Sequence, residues 1–134
     1  MTAETALPPV LGIRHIALKV RDLAAAERFY SGVLGYKAEW RPDPENLYLT
    51  LGADNLALHQ DASAAGERSP LDHFGILVAK PEDVDAWARH LESKGIPLEK
   101  KPKTHRDGAR SLYVRDPEGN LIQFLFHPPI SASR

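Results

Sequence analysis

The stretch IRHIALKV, residues 13–20, sets one histidine into a run of apolar and β-branched side chains. In an extended strand successive side chains point to opposite faces, so Ile16, Leu18 and Val20 share one side while Ile13, His15 and Ala17 share the other. The stretch reads as a strand with one apolar face, and its histidine lies on the opposite one. Next, RDLAAAERFYSGVLGY carries Leu23, Ala26, Phe29, Tyr30, Val33 and Leu34 at helical spacing, with Asp22 as N-cap and Gly35 as the stop. The runs YKAEWR, LYLTLG and NLALHQ follow, separated by the turn signals PDPEN and GADN. Residues 11–60 thus read βαβββ.

The same order then returns. After a linker over 61–70, LDHFGILV again sets a histidine before an alternating run, with Phe74, Ile76 and Val78 opposite His73, Gly75 and Leu77. In PEDVDAWARHLESKG, Val84, Trp87, Ala88 and Leu91 form a helical stripe, Pro81 suits a first turn, and Gly95 closes it. IPLEKKP, RSLYVRD and NLIQFLF complete a second βαβββ unit over 71–127. His15 and His73 stand 58 residues apart, and the same offset carries Ala26, Phe29, Tyr30 and Val33 onto Val84, Trp87, Ala88 and Leu91. An internal repeat related by a pseudo-twofold axis brings equivalent positions together, so the two histidines form a candidate site.

Composition narrows the class of protein. With 134 residues, 43% of them hydrophobic, the chain makes one domain, 1–134, built of two small modules. A net charge of −1 gives no pull toward nucleic acid or an acidic membrane. The absence of cysteine excludes disulfides, thiolate metal ligands and cysteine nucleophiles. No apolar run approaches a membrane span, and MTAETALPPVLG lacks the pattern of a secretory leader, so a cytoplasmic location is expected.

Two βαβββ units, a histidine on the first strand of each, HIALKVRDLAAAERFYSGVLGY in the first and YVRDPEGNLIQFLF in the second together resemble the vicinal oxygen chelate superfamily. That superfamily includes glyoxalase I, extradiol dioxygenases, fosfomycin-resistance proteins and bleomycin-binding proteins. The resemblance implies an α+β fold in which two βαβββ modules pair into a curled, cup-shaped mixed sheet with helices outside, commonly as a homodimer. It implies a divalent metal (Zn, Ni, Mn, Co or Fe) chelating vicinal oxygens of a small-molecule substrate, in a lyase, isomerase or dioxygenase. The alternative is a metal-free cup that binds a small molecule or drug.

Carried over residue by residue, the metal positions are His15, His73 and Gln123. The third departs from the pattern, because the superfamily usually has a glutamate there. Two neutral imidazoles and an amide leave the ion's charge uncompensated, which predicts weaker binding than a two-histidine, one-carboxylate site. His59 is a candidate ligand or base, and Tyr113 a candidate donor to an anionic oxygen. Trp40, Tyr48, Ser111 and Arg110 complete the expected substrate pocket.

Overall fold

The computed structural model describes residues 11, 13–64 and 71–131. Most of the linker expected over 61–70, and most of the opening MTAETALPPVLG, lie outside the described residues. The first module runs β1 (His15–Val20), α1 (Leu23–Glu27) continued by a π-helical segment (Arg28–Val33), β2 (Lys37–Asp43), β3 (Asn46–Thr50) and β4 (Asn55–Gln60). The second runs β5 (Phe74–Leu77), α2 (Pro81–Ser93), β6 (Lys100–Thr104), β7 (Arg110–Arg115) and β8 (Leu121–Phe126). A 3₁₀ turn (Ala62–Ala64) follows β4, and a short helix α3 (Pro128–Ser131) follows β8.

Each module is a four-stranded mixed sheet, ordered β1-β4-β3-β2 in the first and β5-β8-β7-β6 in the second. The outer strand of each pairs parallel to the last, β1 with β4 and β5 with β8, and the remaining pairings are antiparallel. The chain must cross over to make a parallel pair, and the helices are the crossovers.

Asp22 caps α1 as expected, its Oδ1 accepting from the Ala25 N–H at 3.1 Å. The helix read as one element changes pitch after Glu27: the Leu34 N–H donates to the Phe29 carbonyl at 3.1 Å, five residues back, and Tyr36 N–H to Tyr30 at 2.9 Å. The wider turn coincides with Phe29 and Tyr30, both buried, and ends at Gly35, whose φ of +89° suits a residue without Cβ. β6 also differs from the reading of IPLEKKP as its strand. Ile96 and Leu98 pack against the core ahead of it, and pairing with β7 runs through Lys100 opposite Tyr113.

One core serves both modules. Leu18, Val20, Leu47, Leu49, Leu56 and Leu58 from the first sheet join Leu112, Val114, Ile122 and Phe124 from the second, with α1 and α2 supplying Leu23, Ala26, Val84 and Leu91. Trp87 of α2 stacks on Phe124 with ring centroids 4.8 Å apart. Polar bonds also cross between modules: Tyr30 Oη donates to Asp116 Oδ2 at 2.7 Å, the Asp22 N–H to Glu118 Oε2 at 3.1 Å, and the His90 ring Nε2–H to the Val33 carbonyl at 2.8 Å. The apolar face of every central strand is thereby spent on the core, and the faces bearing His15, His59, Tyr113 and Gln123 look away from it.

Candidate metal centre and substrate cleft

His15 opens β1, where its Cα partner on β4 is Asn55. Its Nδ1 lies 2.7 Å from Asn55 Oδ1, and Asn55 Nδ2 in turn donates to Glu39 Oε1 at 2.5 Å. A carboxylate accepts only, so Glu39 fixes which end of the amide is nitrogen, and the amide oxygen requires His15 Nδ1 to carry the proton. Among the described residues nothing engages the Nε2 lone pair. His59 repeats the device: its Nδ1 lies 2.5 Å from Asn46 Oδ1, and Asn46 Nδ2 donates to Asp43 at 2.9 Å. His73 uses a shorter version, donating from Nδ1 to Asp72 Oδ2 at 2.6 Å. Anchoring one ring nitrogen on an oxygen, with the other free, is how a metal-binding imidazole is held and made more basic.

On the second sheet Gln123 is the central residue. It pairs across with Tyr113 on β7 and Gly75 on β5, and a Cβ built on Gly75 would stand 3.8 Å from Gln123 Oε1. His73, just before β5, sets its ring edge to face against Tyr113 with centroids 5.5 Å apart. His73, Tyr113 and Gln123 are therefore brought to one sheet face. His15 approaches the same strand from the first module, sharing with Phe74 and Gly75 a cleft of about 190 Å³. No group of three or more His, Cys, Asp or Glu placed to hold a metal ion occurs among the described residues. The nitrogen and oxygen donors of the expected set are two imidazoles and an amide, and their chemistry fits a borderline divalent ion.

The strand register separates His59 from this group. Ala17 pairs with Ala57 just as Gly75 pairs with Gln123, so the repeat equivalent of Gln123 is Ala57, and His59 lies two residues farther along, opposite Lys19. Two strand residues span about 6.6 Å. His59 instead meets Tyr48 edge to face at 5.8 Å, and Tyr48 stacks on the exposed Trp40 at 5.1 Å, forming an aromatic wall on the first sheet. Of the other expected pocket residues, Ser111 is buried with its Oγ 3.0 Å from His105 Nε2. Arg110 turns toward α2, where Asp85 takes its guanidinium through two bonds of 2.9 and 2.6 Å. That paired guanidinium holds the Asp85 carboxyl below the usual range.

Sequence reasoning missed Asn55, Glu39, Asn46, Asp43 and Asp72. The aspartate beside His73 was visible as a neighbour, but the two asparagines depend on cross-strand register.

A family model described as the glyoxalase/bleomycin resistance protein/dioxygenase superfamily matches residues 12–124, and the chain belongs to that superfamily. Metallothiol transferase FosB of Bacillus licheniformis is 26% identical over 117 residues, covering 85% of this chain and 74% of the relative. A manganese-dependent 2,3-dihydroxybiphenyl 1,2-dioxygenase of Geobacillus genomosp. 3 is 25% identical over 94% of this chain, which spans 38% of that larger protein. The crystal structure of a lactoylglutathione lyase from Agrobacterium tumefaciens superposes with a TM-score of 0.76 at 26% identity, covering 92% of this chain and 98% of that one. The α+β fold of two βαβββ modules is thus that of the superfamily, whose relatives of this chain include transferase, dioxygenase and lyase.

Proposed function

We propose that this protein is a divalent-metal-dependent enzyme of the vicinal oxygen chelate type, acting on a small molecule with two adjacent oxygens as a lyase, isomerase or dioxygenase. The observation that carries the reading is the anchoring of both repeat-related histidines at Nδ1, which presents Nε2 of each. His15 Nε2, His73 Nε2 and the Gln123 amide oxygen would hold the ion. When bound, the ion supplies Lewis acidity that stabilises negative charge on a substrate oxygen. The names of the dioxygenase and the metallothiol transferase among its relatives support a metal.

The chain's own groups do the rest. Tyr113 Oη donates to the substrate oxygen on which charge develops, and the His73 ring beside it fixes the phenol's orientation. His59 Nε2, kept as a lone pair by the Asn46 anchor on Nδ1, serves as the base, a role supported by its place two residues beyond Ala57. Trp40 and Tyr48 offer a flat apolar surface to the substrate. Other exposed apolar side chains, Leu51 at 45% and Leu77 at 42%, support a homodimer in which a second copy covers them.

One observation favours a metal-free binding cup instead: the ligand set carries no negative charge, since Gln123 stands where a carboxylate is usual. Elemental analysis of protein purified without chelator, then reloaded with Zn, Mn, Ni, Co or Fe(II), separates the two. About one ion per chain is expected, lost in His15→Ala and His73→Ala while both variants stay folded. Full metal content in either variant, or none in the parent, refutes the enzyme reading.

A further inference from the structure

A cleft of about 640 Å³ lies over β7 and β8, with Tyr113 and Gln123 on its floor and the β6–β7 connection as its wall. That volume suits a small organic ligand. The wall is cationic. Lys103 and Arg106 are exposed, and neither pairs with a carboxylate among the described residues. His105 and His127 add two imidazoles to the lining.

The single acid in the lining, Asp107, engages its own loop through Oδ1, which accepts the Ala109 N–H at 3.0 Å. The loop is shaped by its backbone: the Gly108 N–H donates to the His105 carbonyl at 3.0 Å, with Gly108 at a φ of +88°. This holds His105 over the cleft, where Ser111 Oγ engages Nε2 at 3.0 Å and Nδ1 has no hydrogen-bond partner among the described residues. The Tyr113 hydroxyl and the Gln123 amide likewise make no hydrogen bond within the described chain, so both remain available to a ligand.

The geometry points to an oxyanion subsite: Lys103, Arg106, His105 and His127 bind a carboxylate or phosphate-type group of the substrate, directing its reacting oxygens toward Tyr113 and Gln123. Carboxylates and phosphates share the chemistry that this wall recognises, acceptor oxygens under negative charge facing N–H donors. Arg110 has no part in it, because Asp85 already neutralises that guanidinium. The direction of the substrate rests on the metal-centre reading; the capture of the anion does not.

The test uses the full chain after chelator treatment, titrated separately with inorganic phosphate and with succinate while the imidazole resonances of His105 and His127 are followed by NMR. A saturable shift with at least one probe is expected, and the tighter probe names the group on the substrate. The double variant Lys103→Gln/Arg106→Gln should bind at least about tenfold more weakly, as follows from losing a charge-assisted hydrogen bond. Its metal uptake should match that of the parent. No saturable shift with either probe, or an unweakened double variant, overturns the subsite. A parent protein that takes up no metal yet still binds phosphate refutes the metal centre alone.

Discussion

Replacing Tyr30 by Phe removes one oxygen from a ring with no exposed surface and takes one donor from Asp116, itself only 5% exposed. The bond lost is short, 2.7 Å, and its acceptor is a carboxylate. Hydrogen bonds to charged groups contribute about 1.5–3 kcal/mol net. Asp116 keeps three other donors, the Glu118 and Asn120 N–H groups on Oδ1 and Asn120 Nδ2 on Oδ2, so the carboxylate is weakened rather than orphaned. A loss of about 2 kcal/mol follows, or roughly 8 °C in Tm for a chain of this size. Urea unfolding followed by tryptophan fluorescence measures it, because Trp87 stacks on the buried Phe124 and reports the core. The midpoint should fall with m unchanged; a loss under about 0.5 kcal/mol would refute the role given to this bond.

The same residue makes a second, independent readout in alkali. Burial, then the Asp116 charge, raises the Tyr30 pKa well above its ordinary value, and burial with Asp54 does the same for Tyr36. A raised folded pKa means the folded state holds its proton while the unfolded chain gives it up. The contribution is whole below pH of about 10 and is lost as pH rises from there toward the folded values, at about 1.4 kcal/mol per pH unit for each tyrosine. The parent should lose about 2.7 kcal/mol per unit above that point, and Tyr30→Phe about half as much.

Three other substitutions probe the candidate centre and the core. Gln123→Glu should tighten metal binding roughly 10- to 100-fold in a calorimetric titration, since an added charge near the ion is worth about 1–4 kcal/mol; equal affinity would remove Gln123 from the ligand set. Asn55→Leu releases the His15 ring and should weaken metal binding about tenfold, with little change in thermal stability, as measured by competition with a chromophoric chelator. Leu91→Ala empties a fully buried position of α2 and should cost about 2–5 kcal/mol by thermal unfolding, whatever the metal content.

The repeat was legible because it is written in alternation and in helical spacing, both local. Alternation assigned His15 to the face opposite Ile16, Leu18 and Val20, and Asp22 announced the start of α1 by its chemistry. What escaped is what depends on lateral placement. The Glu39–Asn55–His15 chain joins three strands, and the irregular pairing of β2 between Ala38 and Trp40 is not encoded by any local pattern. Arg110 looked like a pocket residue because its partner, Asp85, lies 25 residues away on a helix. The π-helical turn after Glu27 coincides with Phe29 and Tyr30 entering a core shared with the other module, which no window of sequence contains.

That shared core has a consequence for how this chain can be divided. Both halves contribute to one apolar cluster, Leu23, Ala26, Phe29 and Tyr30 from one and Val84, Ala88 and Trp87 from the other, so dividing the chain opens it. The Asp116 carboxylate would also lose its tyrosine. A fragment carrying one βαβββ unit therefore cannot melt as the intact protein does, and would associate with whatever apolar surface it met. Amide exchange should accordingly show the slowest protons of both sheets opening together, in a single global event.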